Sequence, residues 1–232
     1  MIATLEPRPN MARLDAACGT GELAFRAAAA GATVTGLDFA ASLVDTARRA
    51  AAARGLDIRF DVGDAEAMPY GDGAFAVISS TFGCMFARDH AAVARELARV
   101  VQPAGRLALA AWTPDSTVAD LFRLFARFGP PLPAGLPSPF DWGDETYGAT
   151  LLGDASELSF EHHETALRAP SGEEDWDLFS SAPGPLKALA ASLDDHGRAK
   201  LRETWIRWAE GMRQGAEIVN RRAYLLTLGT RH

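Results

Sequence analysis

Five short apolar runs alternate with helix-prone segments between Leu14 and Trp112, and few architectures accommodate that rhythm. Residues 14–17, 33–37, 58–62, 75–80 and 106–112 read as strands. Residues 22–30, 42–54 and 90–101 read as helices, with Leu43, Ala47, Ala50 and Arg54 near one face of the second and Val93, Leu97, Val100 and Val101 striping the third. Punctuation falls between them. Gly31 and Gly55 follow the first two helices, Asp89 is placed to cap the third, Gly71, Asp72 and Gly73 turn the chain into the fourth strand, and Pro103, Ala104 and Gly105 turn it into the fifth. Strands alternating with helices fold as a parallel sheet with right-handed crossovers. Such sheets bind ligands beyond the carboxyl ends of their strands, so the informative residues should lie just after each strand.

They do. Asp15-Ala16-Ala17-Cys18-Gly19-Thr20-Gly21 joins the first strand to the first helix. Its glycines let backbone approach a ligand without an intervening Cβ, and the helix behind it offers free N–H groups. Alone, this loop suits NAD, FAD, S-adenosylmethionine or a plain tight turn. Asp38 ends the second strand 17 residues after Gly21, where a carboxylate can accept both hydroxyls of a ribose. Asp64 follows the third strand, where a carboxylate can accept from an adenine amino group. Asp15, inside an apolar strand, is costly unless it is satisfied by protein or ligand.

Taken together, LDAACGTG (14–21), GLDFAASLVDTAR (36–48), GDAEAMPYGDGAFAVI (63–78), STFGCMF (80–86) and RELARVVQPAGRLALAAW (95–112) resemble the class I S-adenosylmethionine-dependent methyltransferases, in the branch related to ubiquinone and menaquinone biosynthesis. The resemblance covers about half of the chain. It implies a Rossmann-like α/β fold: a seven-stranded, mostly parallel sheet of order 3-2-1-4-5-7-6 with strand 7 antiparallel, helices on both faces and a small inserted cap. It implies S-adenosylmethionine as the cofactor. Asp15 and the backbone of Ala17 and Gly19 would meet its methionine part, Cys18, Thr20 and Gly21 of the same loop would also bind the cofactor, Asp38 would hold the ribose with Phe39 beside the adenine, Asp64 and Ala65 would sit at the adenine edge, and Ser80 and Thr81 near the sulfonium. The family usually carries one or two helices ahead of the first strand. Here 13 residues precede it, so either the chain is truncated or a second copy, as a homodimer, closes the site.

The remaining residues narrow the chemistry. A formal charge of −7 argues against nucleic-acid or anionic-membrane partners. Cys18 and Cys84 make no CxxC pair, fitting neither a disulfide framework nor a zinc site and suiting a reducing cytoplasm. The N-terminal residues, with Pro7 and Pro9, lack the apolar run of a signal peptide, and no stretch of about 18 apolar residues spans a membrane. No Asn/Asp-Pro-Pro-Tyr motif follows the fourth strand and no carboxylate cluster sits there, so no metal is expected. Cys18 reads as a small residue packed under the ligand, His90 as a first-turn helix residue facing water, and His162 and His163 as structural, since neighbours on a strand point to opposite faces.

Residues 12–112 read as a cofactor core, 113–219 as an acceptor-side cap with helices, and 220–232 as a terminal strand closing the sheet at an edge. The cap opens on a stretch rich in proline (Pro130, Pro131, Pro133, Pro137, Pro139) and aromatics, with a helix over 118–128, from which Trp142 and Tyr147 are candidates to touch the acceptor. A strand at 158–168 and helix through most of 186–212 follow. The expected activity is methyl transfer to O, N or C of a small, partly apolar molecule. A S-adenosylmethionine-binding protein or non-methylating enzyme is the alternative, separated by S-adenosylhomocysteine formation. A nicotinamide oxidoreductase is the less favoured one, separated by response to NAD.

Overall fold

Eight strands and eight helices make up the described residues, 11–129, 135–181 and 185–232, of the computed structural model. In chain order they are β1 (Ala12–Ala16), α1 (Glu22–Ala29), β2 (Thr33–Asp38), α2 (Ala41–Ala53), β3 (Arg59–Val62), β4 (Phe75–Thr81), α3 (His90–Val100), β5 (Val101–Trp112), α4 (Thr117–Phe125), α5 (Glu145–Leu152), β6 (Ser156–Ala169), α6 (Gly172–Ser181), α7 (Pro185–Ser192), α8 (Asp195–Glu210), β7 (Arg213–Gln214) and β8 (Glu217–Arg231). Two 3-10 turns, Cys84–Phe86 and Pro139–Gly143, complete the set. Pro7, Pro9, Pro130, Pro131 and Pro133 lie outside the described residues.

The sheet runs β3-β2-β1-β4-β5-β8-β6, with β7 paired antiparallel to β8. This is the expected path with one strand added: the two-residue β7 shifts the count, so β8 takes the place expected of strand 7. The pairs β1–β2, β1–β4, β2–β3 and β4–β5 are parallel. Behind β2 and β3, Ala24, Phe25 and Ala27 of α1 and Val44, Ala47 and Ala51 of α2 pack with Val34 and Phe60. The α2 stripe thus runs through Val44 and Ala51, and Leu43 and Ala50, expected on that face, are only partly buried.

The interior place of the last strand agrees with the order the resemblance implies and corrects the reading of 220–232 as an edge. β8 lies between β5 and β6, not at an edge. Its Ile218, Val219 and Asn220 and its Leu225, Leu226 and Thr227 are buried as consecutive runs, the mark of a strand covered on both faces. β6 is the edge, and its middle carries Glu161, His162, His163 and Glu164, all exposed, charges that discourage further pairing.

The chain forms two compact units. The first holds the described residues up to Pro114, Leu136–His163 and Leu225–His232; the second holds Asp115–Gly135 and Glu164–Tyr224. The segment expected as one cap is therefore divided. Residues 136–163 go with the first unit, where Phe140 and Trp142 are buried and Gly143 lies so close to β5 that a Cβ would stand 2.2 Å from the Trp112 carbonyl oxygen. The second unit has its own core of Leu121 and Leu124 from α4, Trp176, Leu186, Leu201, Trp205 and Ile218. The Trp205 indole N–H donates to the buried Asp175 carboxylate at 2.8 Å. Its helix α6 escaped the sequence reading, although Ser171, whose hydroxyl accepts from the Glu174 amide, and the acids Glu173, Glu174 and Asp175 mark a helix start.

Residues Pro103–Gly105 are not a turn before β5 but part of it. The β4–β5 register slips between Phe75 and Val77, and Ala104 takes φ +58. That conformation costs an L residue about 1–2 kcal/mol. Ala104→Gly relieves it but frees the unfolded chain. The expected net gain is about 0.5–1 kcal/mol, a rise of roughly 1–4 °C in melting temperature by calorimetry.

Candidate functional site at the carboxyl edge of the sheet

Every element of this site belongs to the first unit. The loop after β1 is wound tightly: Ala17, Gly19 and Gly21 take φ +53, +55 and +87. The Cys18 amide donates to the Leu37 carbonyl at the end of β2, and the Gly21 amide to the Cys18 carbonyl, both at 2.9 Å. Asp38, 5% exposed, ties the loop from the neighbouring strand: Oδ2 accepts from the Gly19 amide at 2.8 Å and Oδ1 from the Ala40 amide at 2.9 Å. Each carboxylate oxygen has a second lone pair, so acceptor capacity remains for a ligand diol.

Two adjoining cavities open here, of about 200 and 550 Å³. The smaller is lined by Asp38, Phe39, Asp64 and Ala65; the larger by Asp15, Cys18, Gly19, Thr20 and Thr81. Ala17, Asp38, Phe39, Gly83 and Phe86 line both, making them two lobes of one cleft. Phe39 is 77% exposed, a large apolar side chain left at the mouth. Asp64 folds back so that Oδ1 accepts from the Glu66 amide.

Asp15 is 2% exposed on the wall of the larger lobe, and its Oδ2 has no hydrogen-bond partner. Burial pushes its carboxyl up to about 7, and Asp38 pushes the same way; Arg13, the Ala24 amide and Ser79 oppose it. The fold therefore holds this proton more tightly than the unfolded chain, whose carboxyl titrates near 3.8. Stability should fall as pH rises from about 4 to about 7 and level off above. Between pH 5 and 8 the loss due to Asp15 is about 2–3 kcal/mol. Asp15→Asn should flatten that slope in urea melts at the two pH values; an unchanged slope would show that Asp15 does not titrate there.

Several expected residues stand elsewhere. Gly21 lies off both lobes; a Cβ there would come within 3.0 Å of the Phe25 and Phe60 rings, so this glycine serves packing. Ser80 is buried and turned inward, its Oγ accepting from the Cys84 amide at 3.1 Å. Trp142 and Tyr147 line neither lobe. His90 is 2% exposed rather than facing water, because Trp142 and Tyr147 close over it with ring centroids 5.6 and 5.7 Å away. Burial, then Asp15 and Asp38, push the Cys18 thiol well up, so it offers no ready thiolate. His162 and His163 pair separately with Glu145 and Glu161. Among the described residues no group of three or more His, Cys, Asp or Glu side chains could hold a metal, and no helix is long and apolar enough to cross a membrane.

The sequence reading missed the segment after β4. Gly83, Cys84, Phe86, Ala87 and Arg88 wall the smaller lobe, and Phe82, Gly83 and Phe86 the larger. The signal was the glycine of Phe82-Gly83-Cys84: a Cβ on Gly83 would lie 2.5 Å from the Ala17 carbonyl oxygen, so a glycine is what lets the two loops touch.

Residues 14–105 match the family described as methyltransferase domain. An uncharacterized protein of Mycobacterium tuberculosis is 40% identical over 154 residues, 66% of this chain and 56% of that one. Demethylmenaquinone methyltransferase of Thermus thermophilus is 45% identical over 103 residues, 44% of this chain and 47% of that enzyme. The chain thus spans about half the length of these curated relatives. Among solved structures, the YcgJ protein of Bacillus subtilis shares the fold with a TM-score of 0.66 at 23% identity, covering 100% of this chain and 96% of that one. Geranyl diphosphate methyltransferase, solved in complex with S-adenosylmethionine, shares it with a TM-score of 0.58 at 17% identity, covering 100% and 82%. Over residues 14–105 the sequence is thus similar to the methyltransferase domain family and to demethylmenaquinone methyltransferases, and the chain shares the Rossmann-like fold of solved methyltransferases.

Proposed function

We propose that the cleft binds S-adenosylmethionine and that the chain moves its methyl group to O, N or C of a small, partly apolar molecule. One observation carries this reading: carboxylates at the carboxyl ends of three consecutive strands, Asp15 within the end of β1, Asp38 closing β2 and Asp64 just past β3, line a two-lobed cleft beside the glycine loop. Asp15 offers an unpartnered buried oxygen to the ammonium of the methionine part, beside the backbone of Ala17 and Gly19. Asp38 takes the ribose diol on its free lone pairs, Phe39 covers the adenine, and Asp64 and Ala65 meet its edge. Thr81 borders the sulfonium, and Ser80 supports it from behind by holding Cys84.

When bound, the cofactor supplies an electrophilic methyl carbon on a cationic sulfur. The residues here have to align an acceptor with that carbon and keep water away. The exposed rings of Phe39 and Phe86 at the mouth suit that task. Two free thiols, Cys18 and Cys84, suit a reducing cytoplasm.

Incubation with S-adenosylmethionine and a panel of small phenolic, amine and quinol-like acceptors, read by mass spectrometry, tests the reading. S-adenosylhomocysteine formed one-for-one with a product 14 Da heavier is the expected result. Tight cofactor binding with no product across the panel would favour a non-methylating role.

A further inference from the structure

Segment 83–88 walls the smaller lobe and reaches the larger through Gly83 and Phe86, yet it is a short 3-10 turn with little structure of its own. Its first end is held by Ser80 Oγ on the Cys84 amide, its last by Glu66 Oε1, which accepts from the Arg88 and Asp89 amides at 2.6 and 3.0 Å. The middle is held from α3: His90 Nε2 lies 3.1 Å from the Met85 carbonyl oxygen. A carbonyl only accepts, so Nε2 carries the proton, and Nδ1 must then be the acceptor. The group facing Nδ1 is the Tyr147 hydroxyl of α5, at 2.9 Å. The chain of donation runs from Tyr147 O–H to His90 Nδ1, and from His90 Nε2–H to the Met85 carbonyl. Burial lowers the His90 pKa and raises that of Tyr147, so both sit in the neutral forms this chain requires. Successive hydrogen bonds polarise one another, and a fixed tautomer leaves Nε2 only one role.

We infer that Tyr147 and His90 are positioning residues: a relay from α5 through α3 that holds the Cys84–Phe86 turn in place and thereby sets the wall of the cofactor cleft. This rests on the reading of the cleft as the ligand site, and it replaces the expectation that Tyr147 touches the acceptor. His90 is committed on both nitrogens and has no lone pair to offer as a base.

Cys84 provides a local reporter. It sits in the turn, is 5% exposed, and burial pushes its thiol up to about 12, so it reacts only when the wall opens. The rate of N-ethylmaleimide labelling at Cys84 and at Cys18, separated by peptide mass spectrometry, is compared in the wild type, Tyr147→Phe, His90→Leu and His90→Gln. One net hydrogen bond corresponds to about a two- to tenfold change in an opening equilibrium. Tyr147→Phe should speed Cys84 labelling by about that factor, and His90→Leu by more, with the Cys18 rate nearly unchanged. His90→Gln, whose amide N–H can still donate to Met85, should return Cys84 towards the wild-type rate. S-adenosylmethionine should slow Cys84 labelling in the wild type. Equal acceleration of both thiols would mean global loosening and would overturn the relay, as would Tyr147→Phe labelling at the wild-type rate or His90→Gln behaving like His90→Leu. If the variants behave as expected but the cofactor gives no protection, the relay stands and the ligand reading fails.

Discussion

Replacing Asp38 with alanine is expected to weaken S-adenosylmethionine binding by roughly tenfold to a few hundredfold, because hydrogen bonds to a charged group contribute about 1.5–3 kcal/mol each. Two losses add. The ribose diol loses its acceptor, and the Gly19 and Ala40 amides lose the oxygens that fix the loop and the start of α2. The second matters because α2 has no other cap: Ala40 stands at its N-cap position and offers no side-chain bond. Asp38→Asn should be nearly as damaging, since its NH2 group must face either the Gly19 or the Ala40 N–H. There is also a partial relief. Asp38 helps push the Asp15 carboxyl upward, so its removal lowers the Asp15 pKa and moves the pH slope predicted above towards the acid side. Calorimetric titration of both variants, with melting curves recorded alongside, measures each part. An unchanged dissociation constant would remove Asp38 from the site.

Gly83→Ala should destabilise the protein by about 1–3 kcal/mol, the usual cost of overpacking, and lower the melting temperature by roughly 2–12 °C. Backbone conformation is not the reason, since Gly83 takes φ −105 and ψ −60, which alanine adopts freely. The reason is space. The new Cβ would lie 2.5 Å from the Ala17 carbonyl oxygen and 2.6 Å from the Ala17 Cβ. Ala17 cannot retreat cheaply, for it is itself held at φ +53. Whichever loop yields, the wall shared by the two lobes moves, so cofactor affinity should fall together with stability. Gly71→Ala is the control: no atom lies within 4 Å of its added Cβ, and neither quantity should change beyond error.

Much of the first unit was legible in the sequence because its signals are local. Apolar runs bounded by Gly, Asp and Pro placed β1 to β4 within two residues, and Asp89 does cap α3, its Oδ1 accepting from the Ala92 amide at 2.8 Å. Asp15, Asp38 and Asp64 were found by position alone, each just beyond or near the end of a strand. What the sequence hid depends on contacts far along the chain. His90 looked like a solvent-facing first-turn residue, and only Trp142 and Tyr147, more than fifty positions on, bury it. Ser80 and Thr81 are adjacent on β4 and so point to opposite sides, one inward to Cys84 and one into the larger lobe, a distinction their identities do not carry. The reading of the last strand as an edge overlooked its consecutive apolar pairs, Ile218-Val219 and Leu225-Leu226, the pattern of a strand covered on both faces.

The central claim is that this cleft is built for S-adenosylmethionine, and the most direct test is a calorimetric titration of the wild-type chain with S-adenosylmethionine, S-adenosylhomocysteine and NAD in parallel. The account predicts one site for each sulfur ligand at micromolar affinity, about −8 kcal/mol, and no heat of binding with NAD. Saturable NAD binding with no response to either sulfur ligand would contradict it.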